Sequence, residues 1–406
     1  MTGAIDTVLV AAMADEPLDW RFKGLPAAWW GRTPAEICAA GVDLFDEGPV
    51  GPVCVLREEA ISHNLATMGR WCERRGVELA PHGKTHMAPA LLARQFQSGA
   101  TAVTVATISQ ARVYRAFGVR DFIVANELVD ASALHWVGRE LSADADFHLV
   151  CWVDSVTAVE QMATHLAGSS RPVDVCVEVG LVGGRTGCRD AGEVDAVARA
   201  AAASPALRLV GVAGYEAALG HDIAPDAVSR VRAYLAEIRS AVARLAPLFE
   251  TENPIATAGG STYFDAVADV LAGEWRTVVR SGCYLTHDHG LYARTSPLRD
   301  RLHPAMEVWA QVISRPERDL ALLTMGRRDV SFDQEMPVAL DLTGAAVTKL
   351  NDQHAYLRLN GDQAGVEVGD WLRFGISHPC TTFDKWQMIP VLDAADRVVD
   401  LVRTFF

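Results

Sequence analysis

The lysine of Pro81-His82-Gly83-Lys84-Thr85-His86 is the first residue along the chain whose setting points to chemistry. It ends a short apolar, strand-like run, where a charged amine is costly unless it is paired or chemically used. A desolvated lysine with a lowered pKa can form a Schiff base with an aldehyde cofactor. The local sequence also admits a surface lysine in a loop. A second candidate is Ser377-His378-Pro379-Cys380. In an extended strand, residues i and i+2 face one side, and Pro379 biases His378 toward extended geometry. The pair therefore predicts an imidazole and a thiolate converging on one point. That donor set suits zinc, whereas magnesium and calcium prefer oxygen. Two protein ligands leave positions open, as a catalytic metal requires. A buried cysteine beside a hydrogen-bonded histidine is the plain structural alternative. Asp352-Gln353-His354 precedes another strand-like run. Asp352 and His354 could serve the same site as acid–base groups, or the segment could be a polar hairpin turn.

These groups need elements to hold them. Strand-like runs recur at Glu78–Pro81, Ala102–Thr107, Asp121–Ala125, Phe147–Val153, Val173–Val179, Leu207–Ala213, Pro254–Thr257 and Arg276–Val279. Amphipathic stretches lie between them, among them Pro89–Gln97, Gln110–Phe117, Val156–Leu166 and Pro225–Leu245. Strand–helix alternation with near-continuous apolar strands predicts an α/β fold, a (β/α)8 TIM-type barrel. Functional residues of such barrels sit after the strands. There the chain places His82 and Lys84, Arg185 in a glycine-rich loop, Tyr215 and His221, Gly259-Gly260-Ser261-Thr262, and Arg280-Ser281-Gly282-Cys283-Tyr284. The last two segments follow strands seven and eight, where barrels commonly bind phosphate. Val53–Leu56 reads as a strand and Glu58–Arg74 as a helix. Beyond about residue 300, Val308–Ser314, Leu320–Met325, Ala355–Leu359, Trp371–Gly375 and Met388–Val391 read as strands of a β-rich domain. The expected division is residues 1–76 as an N-terminal extension contributing a strand and helix to the β domain, 77–295 as the barrel, and 296–406 as the β domain with the metal site.

Composition narrows the function classes. Among 406 residues, 51 acidic outnumber 37 basic side chains, and no Lys/Arg cluster offers a face for nucleic acid. No uncharged run approaches the length of a membrane span. Met1–Met13 lacks the basic start of a signal peptide, so a cytoplasmic location is expected. The eight cysteines are scattered without a CxxC pair, which predicts reduced and mostly buried thiols.

Together these segments resemble the fold-type III pyridoxal-phosphate enzymes, in particular the branch of D-serine dehydratase and D-threonine aldolase, whose barrel is shared with alanine racemase. The resemblance runs from about Val53 to the C-terminus. Pro81–His86 is similar to the family's P-H-x-K-T-H motif and implies that Lys84 carries the cofactor, with His82 beside it. Val179–Gly187 is similar to its V-G-x-x-R-x-G loop, here with extra glycines, and implies a cofactor contact for Arg185. Tyr215 and His221 fit a Y-E-G-H-like stretch lengthened by Ala217 and its successors. Gly259, Gly260, Ser261 and Thr262, with Gly282, Cys283 and Tyr284, correspond to the phosphate-binding loops. Arg280 stands where the racemase branch places an arginine at the pyridine nitrogen; Arg185 is the other candidate for that role. His378-Pro379-Cys380 resembles the zinc-binding H-x-C pair of D-serine dehydratases, whereas the aldolases carry a carboxylate at the position of Cys380.

The resemblance implies a homodimer acting on a small β-hydroxy D-amino acid of D-serine, D-threonine or 3-hydroxyaspartate type. Lys84 would take the α-proton, and zinc or another divalent metal at His378 and Cys380 would help the β-hydroxyl leave. The aminoacrylate released would hydrolyse to a 2-oxo acid and ammonia. A retro-aldol lyase of the D-threonine aldolase type is the alternative. A non-catalytic cofactor carrier on the same barrel is a third reading, against which the long C-terminal segment argues.

Overall fold

The computed structural model describes residues 3–360 and 365–406. The strands, in chain order, begin with β1 (Val53–Arg57). Next come β2 (Glu78–Leu79), β3 (Val103–Val105), β4 (Asp121–Glu127), β5 (His148–Val153), β6 (Val173–Val179), β7 (Leu207–Gly214), β8 (Ile255–Ala258) and β9 (Arg276–Val279). Then follow β10 (Met306–Glu317), β11 (Leu320–Leu323), β12 (Val338–Ala339), β13 (Ala346–Leu350), β14 (Ala355–Arg358), β15 (Trp371–Gly375), β16 (Met388–Leu392) and β17 (Val398–Arg403). By internal contacts the chain divides into two units. One holds residues up to Asp6, Met68–Lys84 and Leu92–Gly282; the other holds Thr7–Thr67, Thr85–Leu91 and Cys283–Phe406.

The first unit is the barrel. Its eight strands are parallel in the order β2-β9-β8-β7-β6-β5-β4-β3. The two end strands meet: Leu79 O accepts from Thr101 N (2.8 Å), Pro81 O accepts from Thr104 N (2.9 Å), and His82 bridges Thr104. Inward side chains fill the interior, among them Ala80, Ala102, Ile123, Val150, Trp152, Cys176, Val210, Ile255 and Val278. Ala80, just after β2, and Ala102, just before β3, share this cluster with the large Trp152 ring, as in a barrel whose interior is a packed core. The intervening helices start where polar side chains close the orphan N–H groups. Thr107 accepts from Gln110 N, Asp130 from Ala133 N, Ser155 from Ala158 N and Asp190 from Glu193 N. The first three caps lie two or three residues beyond a strand, so those loops are short; Asp190 closes the longer glycine-rich loop after β6.

The second unit is a sheet in which β1 lies between β10, antiparallel, and β16, parallel. The chain before β1 packs on it: Leu18, Phe22, Leu25, Trp29, Ile37 and Leu44 share a core with Val53, Val55, Met388, Leu392, Val398 and Leu401. β12, β13 and β17 lie in stretches with no sequence expectation of a strand. β13 shows why, since only Val347 and Leu350 of its five residues are buried. Among the described residues, no helix is long and apolar enough to cross a membrane.

Candidate active site

At the barrel mouth the chain turns sharply after β2. Gly83 admits no side chain, because a Cβ there would meet the Tyr114 ring at 2.7 Å and Val103 Cγ2 at 2.8 Å. The Tyr114 hydroxyl donates to Gly83 O (2.8 Å), pinning the short 3-10 turn Gly83–Thr85. Lys84 stands on that turn with an exposed side chain. The expectation of a lysine desolvated inside an apolar strand is therefore corrected: β2 ends at Leu79, and the turn lifts the amine out of the barrel wall. His82, just below, is different. Its Nδ1 is buried without a hydrogen-bond partner. Burial pushes its pKa well below the ordinary value, and the charges of Lys84, Arg280 and Arg185 add to the effect. A neutral imidazole is thus surrounded by three cations, one each from the segments after β2, β6 and β9.

Arg280 is buried on the face of Trp152, 5.4 Å from the ring centroid. It donates to Thr257 Oγ1 (2.5 Å) and Gly214 O (2.7 Å). Arg185 is exposed and lies 4.8 Å over the Tyr215 ring. The glycine loop after β8 departs from expectation. Gly259 N and Gly260 N, foreseen as phosphate donors, donate instead to the fully buried Glu216 carboxylate at 2.8 and 2.7 Å. Gly259 has φ +98°, and a Cβ there would lie 3.1 Å from the Val279 side chain, so the turn requires glycine. What the loop retains for an anion is Ser261 and Thr262, entering the helix Phe264–Leu271, whose start has no side-chain cap. Thr262 Oγ1 is 2.8 Å from His221 Nδ1, and Ser281 Oγ donates to Gly260 O (3.0 Å). Three cations, a neutral imidazole with an unpartnered Nδ1 and an uncapped helix start suit a planar aldehyde cofactor bearing a phosphate.

Sequence reading placed Glu178 at a strand end without a role and passed over Glu127 and Asp154. Glu127 at the end of β4, Asp154 after β5 and Glu178 near the end of β6 form one group. Both Glu127 oxygens and Glu178 Oε2 are buried without a donor. Burial, then the neighbouring Glu178 and Asp154, push the Glu127 carboxyl up to about 8. Glu127 therefore keeps its proton near neutrality. Glu178 is visible in retrospect as the acid in Val173–Val179; Glu127 gave no such signal.

In the second unit, His378 and Cys380 are close, but by another geometry than expected. His378 has φ +70°, Pro379 is helical, and Cys380 opens the short helix Cys380–Phe383. The extended strand stops at Gly375, and alternation plays no part. A left-handed residue followed by a helical turn brings the two side chains into hydrogen-bond contact. The backbone is held by Asp288, whose Oδ2 accepts from His378 N (2.9 Å) while Oδ1 accepts from Gly290, Tyr292 and Ala293 N–H groups. His378 Nδ1 lies 2.5 Å from Asp333 Oδ2, so its other nitrogen is directed at Cys380. Asp333 is fixed in turn by the Thr381 hydroxyl (2.7 Å). Cys380 Sγ lies 3.5 Å from both Cys283 Sγ and Thr85 Oγ1. Contact with Cys283, opposed by burial and helped by His378, takes the Cys380 thiol well below its ordinary pKa. Burial lowers the His378 pKa, but Cys380 and Asp333 outweigh it and hold the imidazole up to about 9. Among the described residues, no three His, Cys, Asp or Glu donors stand ready around an open metal position.

Two further residues are corrected. Asp352 and His354 are exposed in the β13–β14 turn. Asp352 pairs with Arg328 (3.2 Å) and His354 O accepts from Asn351 N, the arrangement of a polar hairpin turn. Cys283 and Tyr284 are buried in the 3-10 turn Cys283–Leu285.

A closed parallel barrel with a separate β-rich unit, and cationic and lysine-bearing loops at the strand ends, defines the alanine racemase-like fold. The chain belongs to the family described as alanine racemase, N-terminal domain, which matches residues 56–289; the putative serine dehydratase domain matches residues 305–392. It is 29% identical over 344 residues to a D-threonine aldolase of Arthrobacter sp., covering 82% of this chain and 86% of the relative. It is 29% identical over 139 residues to a D-threo-3-hydroxyaspartate dehydratase of Delftia sp. (strain HT23), covering 34% of this chain and 35% of the relative. The solved D-threonine aldolase from Filomicrobium marinum superposes with a TM-score of 0.76 at 26% identity, covering 87% and 94% of the two chains.

Proposed function

We propose that this protein is a pyridoxal-phosphate-dependent lyase of β-hydroxy D-amino acids that, with a divalent metal, removes water and then ammonia to give a 2-oxo acid. The observation carrying the dehydratase reading is the Cys380 sulfur beside His378, itself oriented by Asp333. A thiolate with an imidazole selects zinc or another borderline metal. Pyridoxal phosphate, when bound, supplies an electron sink for the bond broken at Cα. A metal supplies Lewis-acid help to a departing hydroxyl.

The chain's own residues do the rest. Lys84, on a turn fixed by Gly83 and Tyr114, holds the cofactor aldehyde and then moves the α-proton. His82, kept neutral, offers an uncharged ring face and one free ring nitrogen. Arg280 cannot reorient, being held by Thr257 and Gly214, and sets the charge near the cofactor ring. Ser261 and Thr262 at the helix start hold the phosphate. In the other unit His378 and Cys380 would hold the metal, with Asp333 orienting the imidazole. Thr85, the partner of Cys380, directly follows Lys84 in the chain. The protein acts as a homodimer in the cytoplasm.

The relatives named aldolases favour one second reading, cleavage of Cα–Cβ. The products separate the two. Purified enzyme with pyridoxal phosphate and zinc is assayed on D-serine, D-threonine and D-3-hydroxyaspartate for ammonia with 2-oxo acid, against glycine with aldehyde. Ammonia lost on chelation and restored by zinc is expected. Glycine and aldehyde without ammonia would make it an aldolase.

A further inference from the structure

We propose that Cys283 is a third protein ligand of the metal, completing a Cys2His set with Cys380 and His378 and leaving a single position open to substrate. The inference rests on the metal reading above and deepens it. Neither the sequence resemblance nor the phosphate role foreseen for Cys283 suggests it; the geometry does.

Cys283 lies 97 residues before Cys380, yet the two sulfurs are 3.5 Å apart. Two thiolates on a tetrahedral zinc, each at the usual distance of about 2.3 Å, stand roughly 3.8 Å from one another. The observed spacing is that of two sulfurs in hydrogen-bond contact. Exchanging protons for a cation needs the sulfurs to part by only about 0.3 Å. As the side chains stand, no three-donor position is formed among the described residues. Cys283 is 5% exposed and packs with Leu291, Tyr292 and Cys380.

Each of the three donors has an outer partner of its own. His378 has Asp333, Cys380 has the Thr85 hydroxyl, and Cys283 has the Tyr292 side chain. Ligands in metal sites are commonly fixed in this way. Two thiolates and an imidazole with a fourth open position form an established ligand set for catalytic zinc. The charge consequence is specific. Two thiolates neutralise a dication that one thiolate would leave with a net positive charge. The site then holds the metal more tightly and polarises a substrate oxygen less strongly than a one-thiolate site.

The test counts sulfurs. X-ray absorption at the zinc edge of the unmodified, reduced holoenzyme should fit two sulfur neighbours near the metal. A fit to one sulfur overturns the proposal while leaving the His378/Cys380 reading intact. In the cobalt-loaded protein, the near-ultraviolet thiolate charge-transfer band should fall by about half in Cys283→Ser and again by about half in Cys380→Ser. Zinc affinity of Cys283→Ser should drop by more than the roughly 100-fold upper range for losing an outer partner. An unchanged band and affinity in a Cys283→Ser protein of wild-type cofactor spectrum overturns it as well. If the wild-type protein takes up neither zinc nor cobalt, the metal reading itself falls, and this inference with it.

Discussion

Around His82 the charged groups come from the ends of regular strands; around Cys380 they come from irregular backbone. At the barrel mouth, Lys84, Arg185 and Arg280 follow β2, β6 and β9; Lys84 and Arg280 stand within a few residues of a strand end, and Arg185 lies in the longer loop after β6, over the Tyr215 ring. In the second unit, His378 needs φ +70°, Cys380 sits in a four-residue helix, and Asp288 spends both oxygens holding the surrounding backbone. The contrast matches what each would hold. Fixed cations and backbone dipoles suit a large anionic cofactor bound by several weak contacts. Polarisable donors in mutual contact suit one small ion bound by few strong ones.

If the two regions have these separate tasks, damage to one should spare the other. The largest effect is expected from Lys84→Ala. It should cut turnover by more than about 10³-fold and abolish borohydride trapping of pyridoxal phosphate on the protein, with metal content unchanged. Trapping on another lysine at wild-type level would remove Lys84 from the mechanism. The reciprocal change is Asp333→Asn, which leaves His378 without its orienting carboxylate. Metal affinity should weaken about 10–100-fold, read by chelator competition, while the cofactor spectrum stays as in the wild type. A loss of cofactor binding with intact metal affinity would reverse the assignment of the two regions.

The smallest effect concerns the acids of the barrel. Glu127 titrates near 8 in the folded chain, against 4.5 for an ordinary glutamate, because it is buried and faces Glu178 and Asp154. Between those values the folded protein keeps a proton that the unfolded chain releases. Stability therefore falls as pH rises from about 4.5 through 8. Glu127→Gln, which mimics the protonated group, should remove that slope and raise the melting temperature of the cofactor-free protein at pH 8 by a few degrees, roughly the effect of 1 kcal/mol or so. A melting temperature that rises with pH equally in both proteins would show that Glu127 holds no such proton.

Sequence pattern carried the barrel far. The β6 run Val173–Val179, the β9 run Arg276–Val279 and the helices Pro89–Gln97 and Pro225–Leu245 agree with the observed bounds. Parallel strands covered on both faces are uniformly apolar, and the helices between them are amphipathic; both signals are local. The same logic failed at His378, where a strand was inferred from i, i+2 spacing and a positive φ was found. Proline's restraint on its predecessor is a bias, and Asp288, 90 residues away, overrides it with a hydrogen bond to His378 N.

By itself, then, the sequence determined the alternation of elements, the lysine-bearing turn after the first barrel strand, and His378 with Cys380 as a pair of soft donors. Each is written within a few consecutive residues, where periodicity and residue chemistry act directly. Only the tertiary structure decided the partners: Glu216 on the Gly259 and Gly260 N–H groups, Asp333 behind His378, and Cys283 against Cys380. Those contacts join segments about 40 to 100 residues apart. They depend on where loops end after packing, and no local pattern records that.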